Sequence, residues 1–202
     1  MRSRNNRELV EYLRKAGIDE EMIGLLHMEG YFTAPASRSH HLSCEGGLVE
    51  HSVNVTRRLV ALTKAFKIGW PSPRSPYIVG LLHDLVKCRC YRRSASGLAA
   101  GVAWEYVQPT YPGHGQCSAA MADEMGFDLY YAERVAIMYH MGPYGIDREY
   151  TEKEFDTAVA KHGDIVIPTF TADFYAAKVD EDGEDIEVCP IDVKELAKAI
   201  KE

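Results

Sequence analysis

The stretch Leu81-Leu82-His83-Asp84-Leu85-Val86-Lys87 decides how the rest of the chain is read. Two apolar residues lead into an adjacent imidazole and carboxylate, and a lysine follows three positions on. Both groups are good ligands for divalent transition metals, and an aspartate has two oxygens with which to serve one ion or bridge two. Burying such a pair without a partner is costly, so a metal or a tight polar network is expected around it. One dipeptide does not define a site. The remaining ligands must come from elsewhere in the chain.

Immediately upstream, Ser75-Pro76 reads as a helix cap followed by proline at the first helical position. The short helix it opens runs through Ile78, Val79, Leu81 and Leu82 and delivers His83-Asp84 near its end. Before it, Leu48 to Phe66 is the clearest helix, with Leu48, Ser52, Val55, Leu59, Leu62 and Phe66 forming a stripe at three- and four-residue spacing. His51 lies on the edge of that stripe in the first turns, where the interior is expected. Two shorter helices precede it: Asn6 to Lys15, ended by Gly17, and a second from the Asp19 cap to Gly30. Between them and the long helix, Tyr31 to Gly47 reads as an extended loop holding Arg38, His40 and His41. It is either a solvated connection or a substrate-facing loop.

Downstream of Lys87, the run Cys88-Arg89-Cys90-Tyr91-Arg92-Arg93 is locally basic, and Gly97 to Tyr111 suggests a small β-hairpin or ordered loop. Gly113-His114-Gly115 is a sharp turn at a helix start, with Cys117, Ala120, Met121 and Met125 following at helical spacing. The next helix, about Leu129 to Met141, places Ala132, Val135, Ala136 and Tyr139 inward and His140 at its end. Thr151 to Lys161 is a modest helix. Ile165 to Val179 is the last substantial one, with Ile167, Phe170, Phe174 and Ala177 as its apolar stripe and Asp173 in its middle. A buried mid-helix aspartate needs a partner. The tail from Asp180 to Glu187 reads as acidic and mobile, and Val188 to Glu202 closes as a short amphipathic helix.

The composition fits one mostly helical domain over 1–202: 202 residues, 46% hydrophobic, with a formal net charge of -7. That charge argues against coating long nucleic acid, while leaving room for a local basic pocket. Five cysteines form no secreted-scaffold spacing, so reduced thiols in a cytosol are expected. Cys88 and Cys90, with one residue between them and no second pair, make a poor zinc match. With no signal-peptide region and no run able to span a bilayer, the expected location is cytoplasmic.

In order, the candidate ligands are His51, His83-Asp84, His114, His140 and Asp173, each at a helix beginning, end or inward face. Inward side chains on facing helices are how helical bundles build metal sites. Six such ligands suit two ions sharing a carboxylate better than one.

This set resembles the HD-domain superfamily of metal-dependent phosphohydrolases. Gly46-Gly47-Leu48-Val49-Glu50-His51-Ser52 resembles its first motif, Leu81 to Lys87 its second, and Thr171-Ala172-Asp173 its last. Gly113-His114-Gly115 and Tyr139-His140-Met141-Gly142 resemble its dinuclear branch. Phe32-Thr33-Ala34-Pro35-Ala36-Ser37, followed by His41, resembles the HD half of the YhaM-type 3′→5′ exoribonucleases and a group of short bacterial and phage HD proteins. The similarity covers roughly residues 25–180; room for the exoribonucleases' N-terminal nucleic-acid-binding domain is not expected.

The resemblance implies an all-α HD-domain helical bundle. It implies one ion on His51, His83, Asp84 and Asp173, and a second on His114 and His140 with Asp84 as the bridge. The ions would be iron, manganese, cobalt, nickel or zinc. Two ions ~3.5–4 Å apart activate water and clamp phosphoryl oxygens during in-line attack. Lys87 would neutralise charge on the phosphate, with Arg38, His41 and Arg92 as further substrate contacts. The expected substrate is a small phosphate ester, a nucleotide or a single-strand nucleic-acid end. Two other functions use the same residues: a di-iron oxygenase with the same six ligands, and a non-catalytic nucleotide-binding module.

Overall fold

A computed structural model describes residues 6–94, 104–107, 113–181, 188 and 191–201. It is mostly helical, with one two-stranded sheet among the described residues. The helices are α1 (Asn6–Ala16), α2 (Glu20–Met28), α3 (Gly47–Phe66), α4 (Ser75–Leu82), α5 (Lys87–Cys90), α6 (His114–Glu124), α7 (Tyr131–Met138), α8 (Glu152–Tyr175) and α9 (Val193–Lys201). No helix among the described residues is long and apolar enough to cross a membrane.

The long helix α3 is the centre of the packing, lying against both α4 and α8. Its first half is buried all round, from Gly47 through Thr56, and only its second half is one-sided. Phe66, expected inward, is exposed, because α3 has by then run past the elements that cover it. The α3–α4 crossing depends on Gly80. A Cβ there would lie 2.5 Å from Thr56 Oγ1 and 2.7 Å from its Cα, so no larger residue lets the two backbones come this close. That closeness brings His51 and His83 together.

The chain leaves α4 through a tight turn, in which Leu85 N–H donates to the Leu82 carbonyl and Lys87 N–H to the Asp84 carbonyl. Ser118 of α6 accepts from Val86 N–H at 3.2 Å and pins the turn from outside. Leu85 and Val86 are buried beneath it. His83 and Asp84 therefore sit in a turn that apolar neighbours hold rigid on both sides.

Several expectations need correction. The small sheet has one strand inside the expected 97–111 and the other before it: Tyr91–Arg93 pairs antiparallel with Trp104–Tyr106, Arg92 opposite Glu105. Half of it therefore comes from the basic run, where Tyr91 brings β-propensity. Residues 97–103 and 108–111 lie outside the described residues. In α6 the buried positions include Ser118, Ala119, Met121 and Ala122, while Ala120 is exposed. The two helices expected over 151–161 and 165–179 run together as α8, with a non-helical His162 (φ -139°, ψ 25°) at the join. A reciprocal Thr151–Glu154 capping box starts that helix.

The phase of α8 also differs from the expected stripe. Its buried residues are Ile165, Val166, Thr169 and Ala172, with Ala176 following, whereas Ile167 and Phe174 are exposed. Small side chains let α8 sit closely on α3, and the large rings are left outside. Beyond Tyr175 the chain widens into a π-turn over Ala176–Asp180, and Glu181 N–H returns to the Ala176 carbonyl at 3.1 Å. Asp180, held by Arg58, and Glu181, which is buried, belong to the packed structure rather than to a mobile tail. Residues 182–187 of that tail lie outside the described residues.

Candidate metal centre

Asp84 lies at the centre of the site, with its two oxygens facing different groups. Oδ2 is 3.6 Å from His51 Nε2 and 3.4 Å from His83 Nε2, and it takes an ion pair from Lys87. Oδ1 is 3.4 Å from His114 Nε2 and 3.5 Å from His140 Nε2. Asp173 closes the first group, its Oδ1 lying 3.1 Å from His51 Nε2 and 3.8 Å from His83 Nε2. The six expected ligands thus converge from α3, the α4–α5 turn, the start of α6, the turn just past α7 and the last turn of α8.

Each histidine is oriented through its other ring nitrogen. His83 Nδ1 faces the Gly80 carbonyl at 2.9 Å, and His140 Nδ1 faces the Ile137 carbonyl at 2.7 Å. A carbonyl only accepts, so Nδ1 carries the hydrogen and Nε2 presents a lone pair. His51 Nδ1 meets Glu181 Oε2 at 3.0 Å, and His114 Nδ1 is paired with Glu149 Oε1. Carboxylate or carbonyl partners on the far nitrogen are how proteins fix metal-binding histidines. Glu181 is itself braced by Asn54 Nδ2 at 2.9 Å, and Glu149 by Gly115 N–H at 3.4 Å.

The consequence is a shortage of hydrogens where the groups meet. His114 Nε2 and His140 Nε2 lie 3.2 Å apart with lone pairs toward each other, and both face Asp84 Oδ1. That oxygen is buried and has no hydrogen-bond partner among the described residues. Three acceptors without a donor repel one another in a buried setting. A cation bound between them removes the conflict, so the donor set fits a metal. His51 Nε2 and His83 Nε2 also lie 3.2 Å apart beside Asp84 Oδ2, but there Lys87 donates to the oxygen, so the conflict is confined to the Oδ1 side. Buried His and Asp groups here could hold a metal ion.

The electrostatics agree. Burial opposes charge on His51, but Glu181 and Asp173 outweigh it and push its pKa up to about 10. Burial likewise opposes ionisation of Asp84, yet Lys87 and His83 hold it well below the usual carboxylate range. Asp173 is lowered against burial by His51, and Lys87 is raised against burial by Asp84. The pocket is built to hold positive charge. No family model, curated protein or solved structure matches the chain.

The substrate-facing candidates are placed less uniformly. His41 lines the site, its ring 5.1 Å from that of His51, and continues a file of imidazoles through His83 and His140 to His114. Its Nε2 is buried without a hydrogen-bond partner among the described residues. Burial first, and the neighbouring His51 second, depress its pKa to about 4, so it is a neutral ring. Arg38 and His40 are exposed. Arg92 is also exposed and pairs with Glu105 at 3.2 Å across the sheet, outside the group around Asp84. Its neighbours Arg89 and Arg93 are matched by Glu29 and Glu45, so glutamates neutralise the basic run. Cys88 and Cys90 are buried thiols whose pKa values burial raises to about 12 and about 11, unlike zinc-binding thiolates.

Sequence reasoning missed Glu149 and Glu181. Glu149 follows Asp147-Arg148 in a polar turn, and Glu181 opens an acidic run, so neither breaks a local pattern. The one available signal is that His51 and His114 each need an acceptor at Nδ1.

Proposed function

We propose that the chain is an HD-type metal-dependent phosphohydrolase with a dinuclear centre. One observation carries this reading: Asp84 Oδ1, buried and without a hydrogen-bond donor, faces one pair of imidazoles while Oδ2 faces another. His51, His83, Asp84 and Asp173 would hold one ion, and His114, His140 and Asp84 the other. Bound there, two divalent ions supply an activated water and clamp the phosphoryl oxygens of an ester.

The chain's own side chains do the rest. Asp84 keeps both halves at fixed spacing, and Glu181 and Glu149 hold the His51 and His114 rings in register. Lys87, itself partly exposed and paired with the buried Asp84, would supply a fixed positive charge for an incoming phosphate. His41, a neutral ring whose Nε2 makes no hydrogen bond among the described residues and lies 3.9 Å from Glu181 Oε2, would donate a hydrogen bond to a phosphate oxygen or to the leaving group. The net charge of -7 favours a small nucleotide or a strand end over a long polyanion.

The test combines metal analysis with turnover. Protein purified with and without oxygen is assayed for bound metals, then with nitrophenyl phosphate mono- and diesters, nucleotides and short oligonucleotides in manganese, iron, cobalt, nickel or zinc. Metal-dependent phosphate-ester cleavage is expected. No cleavage with any ion, together with substrate-dependent oxygen uptake by the iron-loaded protein, would overturn the reading in favour of a di-iron oxygenase.

A further inference from the structure

The metal ligands leave one surface feature unexplained. Tyr144, Phe170, Phe174 and Tyr175 form a ring cluster outside the core. Tyr144 and Phe174 lie parallel, with 6° between their planes and centroids 6.0 Å apart. Phe170 is 6.0 Å from Tyr144 and 5.9 Å from Phe174, and Tyr175 meets Phe174 edge-on at 6.2 Å. Tyr144 is 56% exposed and Phe174 37%, although rings of this size are normally covered.

The position of the cluster is what gives it meaning. Both elements that carry it lie next to or contain a candidate ligand. Tyr144 sits in the Gly142–Gly145 turn, which begins two residues after His140. Phe170 and Phe174 flank Asp173 on α8, about 60° and about 100° round the helix from it at 3.6 residues per turn. The two elements are locked together at Gly142, whose backbone has φ +56° and where a Cβ would lie 2.5 Å from the Phe170 ring. Asp173 keeps 16% of its side-chain surface exposed, so the centre opens to solvent beside these rings.

We propose that Tyr144, Phe170 and Phe174 form a stacking platform for the base of a nucleotide whose phosphate is bound at the metal centre. The inference rests on the phosphohydrolase reading and names its substrate class. Every nucleobase offers a π-face, so such a platform selects bases over sugars without reading their identity. A mononucleotide or strand end fits rings carried on the same turn of α8 as Asp173 and the negative charge of the chain.

Binding to the manganese-loaded protein is measured by calorimetry with two slowly hydrolysed esters that differ only by the base: adenosine 5′-phosphorothioate and ribose 5-phosphorothioate. The adenosine ester is expected to bind about tenfold tighter, the scale of one stacked base. Tyr144→Ala and Phe174→Ala should each bring that ratio toward one while leaving ribose 5-phosphorothioate affinity unchanged. Equal binding of the two esters by the unmodified protein overturns the platform and leaves the phosphate reading intact, as does a preference that both variants retain. Failure of both esters to bind removes the phosphate reading and the platform with it. A doubled mass in sedimentation that both variants abolish would assign the rings to a second copy of the chain and overturn the proposal.

Discussion

Glu181 reaches back across 130 positions to lie 3.0 Å from His51 Nδ1, where it is buried and held by Asn54. The pair joins the end of the π-turn to the first half of α3. It fixes which nitrogen of His51 points at Asp84 and Asp173. A carboxylate that touches no other candidate ligand thereby controls the direction of one.

Glu181→Gln keeps the shape of that contact and removes its charge. Metal affinity, measured by competition with a chromophoric chelator, should fall about ten- to a hundredfold, the usual cost of losing such an outer partner. Saturating metal should restore most of the turnover, because the ligands themselves remain. Unchanged affinity would show that His51 does not depend on Glu181 for its orientation.

Asp84→Ala and His140→Ala should separate the two halves of the centre. Loss of the shared carboxylate is expected to abolish turnover and empty both sites, whereas loss of His140 should remove mainly one ion. Elemental analysis of the purified variants reads this directly. Metal should also raise thermal stability, by about 2.7 kcal/mol when free ion is a hundred times Kd. Wild-type stoichiometry in both variants would contradict the assignment.

Gly80→Ala tests the helix crossing that brings His51 to His83. The added methyl meets Thr56 side chain and backbone together, so a loss of about 1–3 kcal/mol is expected in chemical denaturation. Gly24→Ala, in α2 with nothing within 4 Å of the new Cβ, should instead gain about 0.5–1 kcal/mol. The opposite signs distinguish close packing from helix propensity.

The buried thiols give a pH signature away from the metal ligands. Burial holds Cys90 protonated to about 11 and Cys88 to about 12, while unfolded thiols ionise near their ordinary value of 9.0. Below pH 9 the shift costs nothing, because both states keep their protons. Above it the unfolded state alone ionises, so stability should fall as pH rises. Iodoacetamide at pH 8 should spare both residues in the folded protein, and mass spectrometry of the labelled chain would reveal any reaction.

The helical class, and the meeting of the six ligand candidates, were legible because those residues sit where helical periodicity or a helix end fixes direction. His51 follows the α3 stripe, His83-Asp84 end a helix, and His114 begins one beside glycine. The phase of α8 was not legible, since its large apolar residues Ile165, Val166, Ile167, Phe170 and Phe174 are spread over more than one face, and the small Thr169 and Ala172 share the packing. Close helix approach favours small residues, and a hydrophobicity count cannot weigh that. Glu149 and Glu181 were hidden because their partners are remote and their neighbours are charged. The Tyr91–Arg93 strand was hidden because its pairing partner lies beyond Ser94 in a separate stretch.

That a single carboxylate serves both trios has a mechanical consequence. Asp84 presents one oxygen to His51 and His83 and the other to His114 and His140, so the two pairs of rings share one anchor. A displacement of α3 or α6 that moved one pair would be felt by the other through that carboxylate.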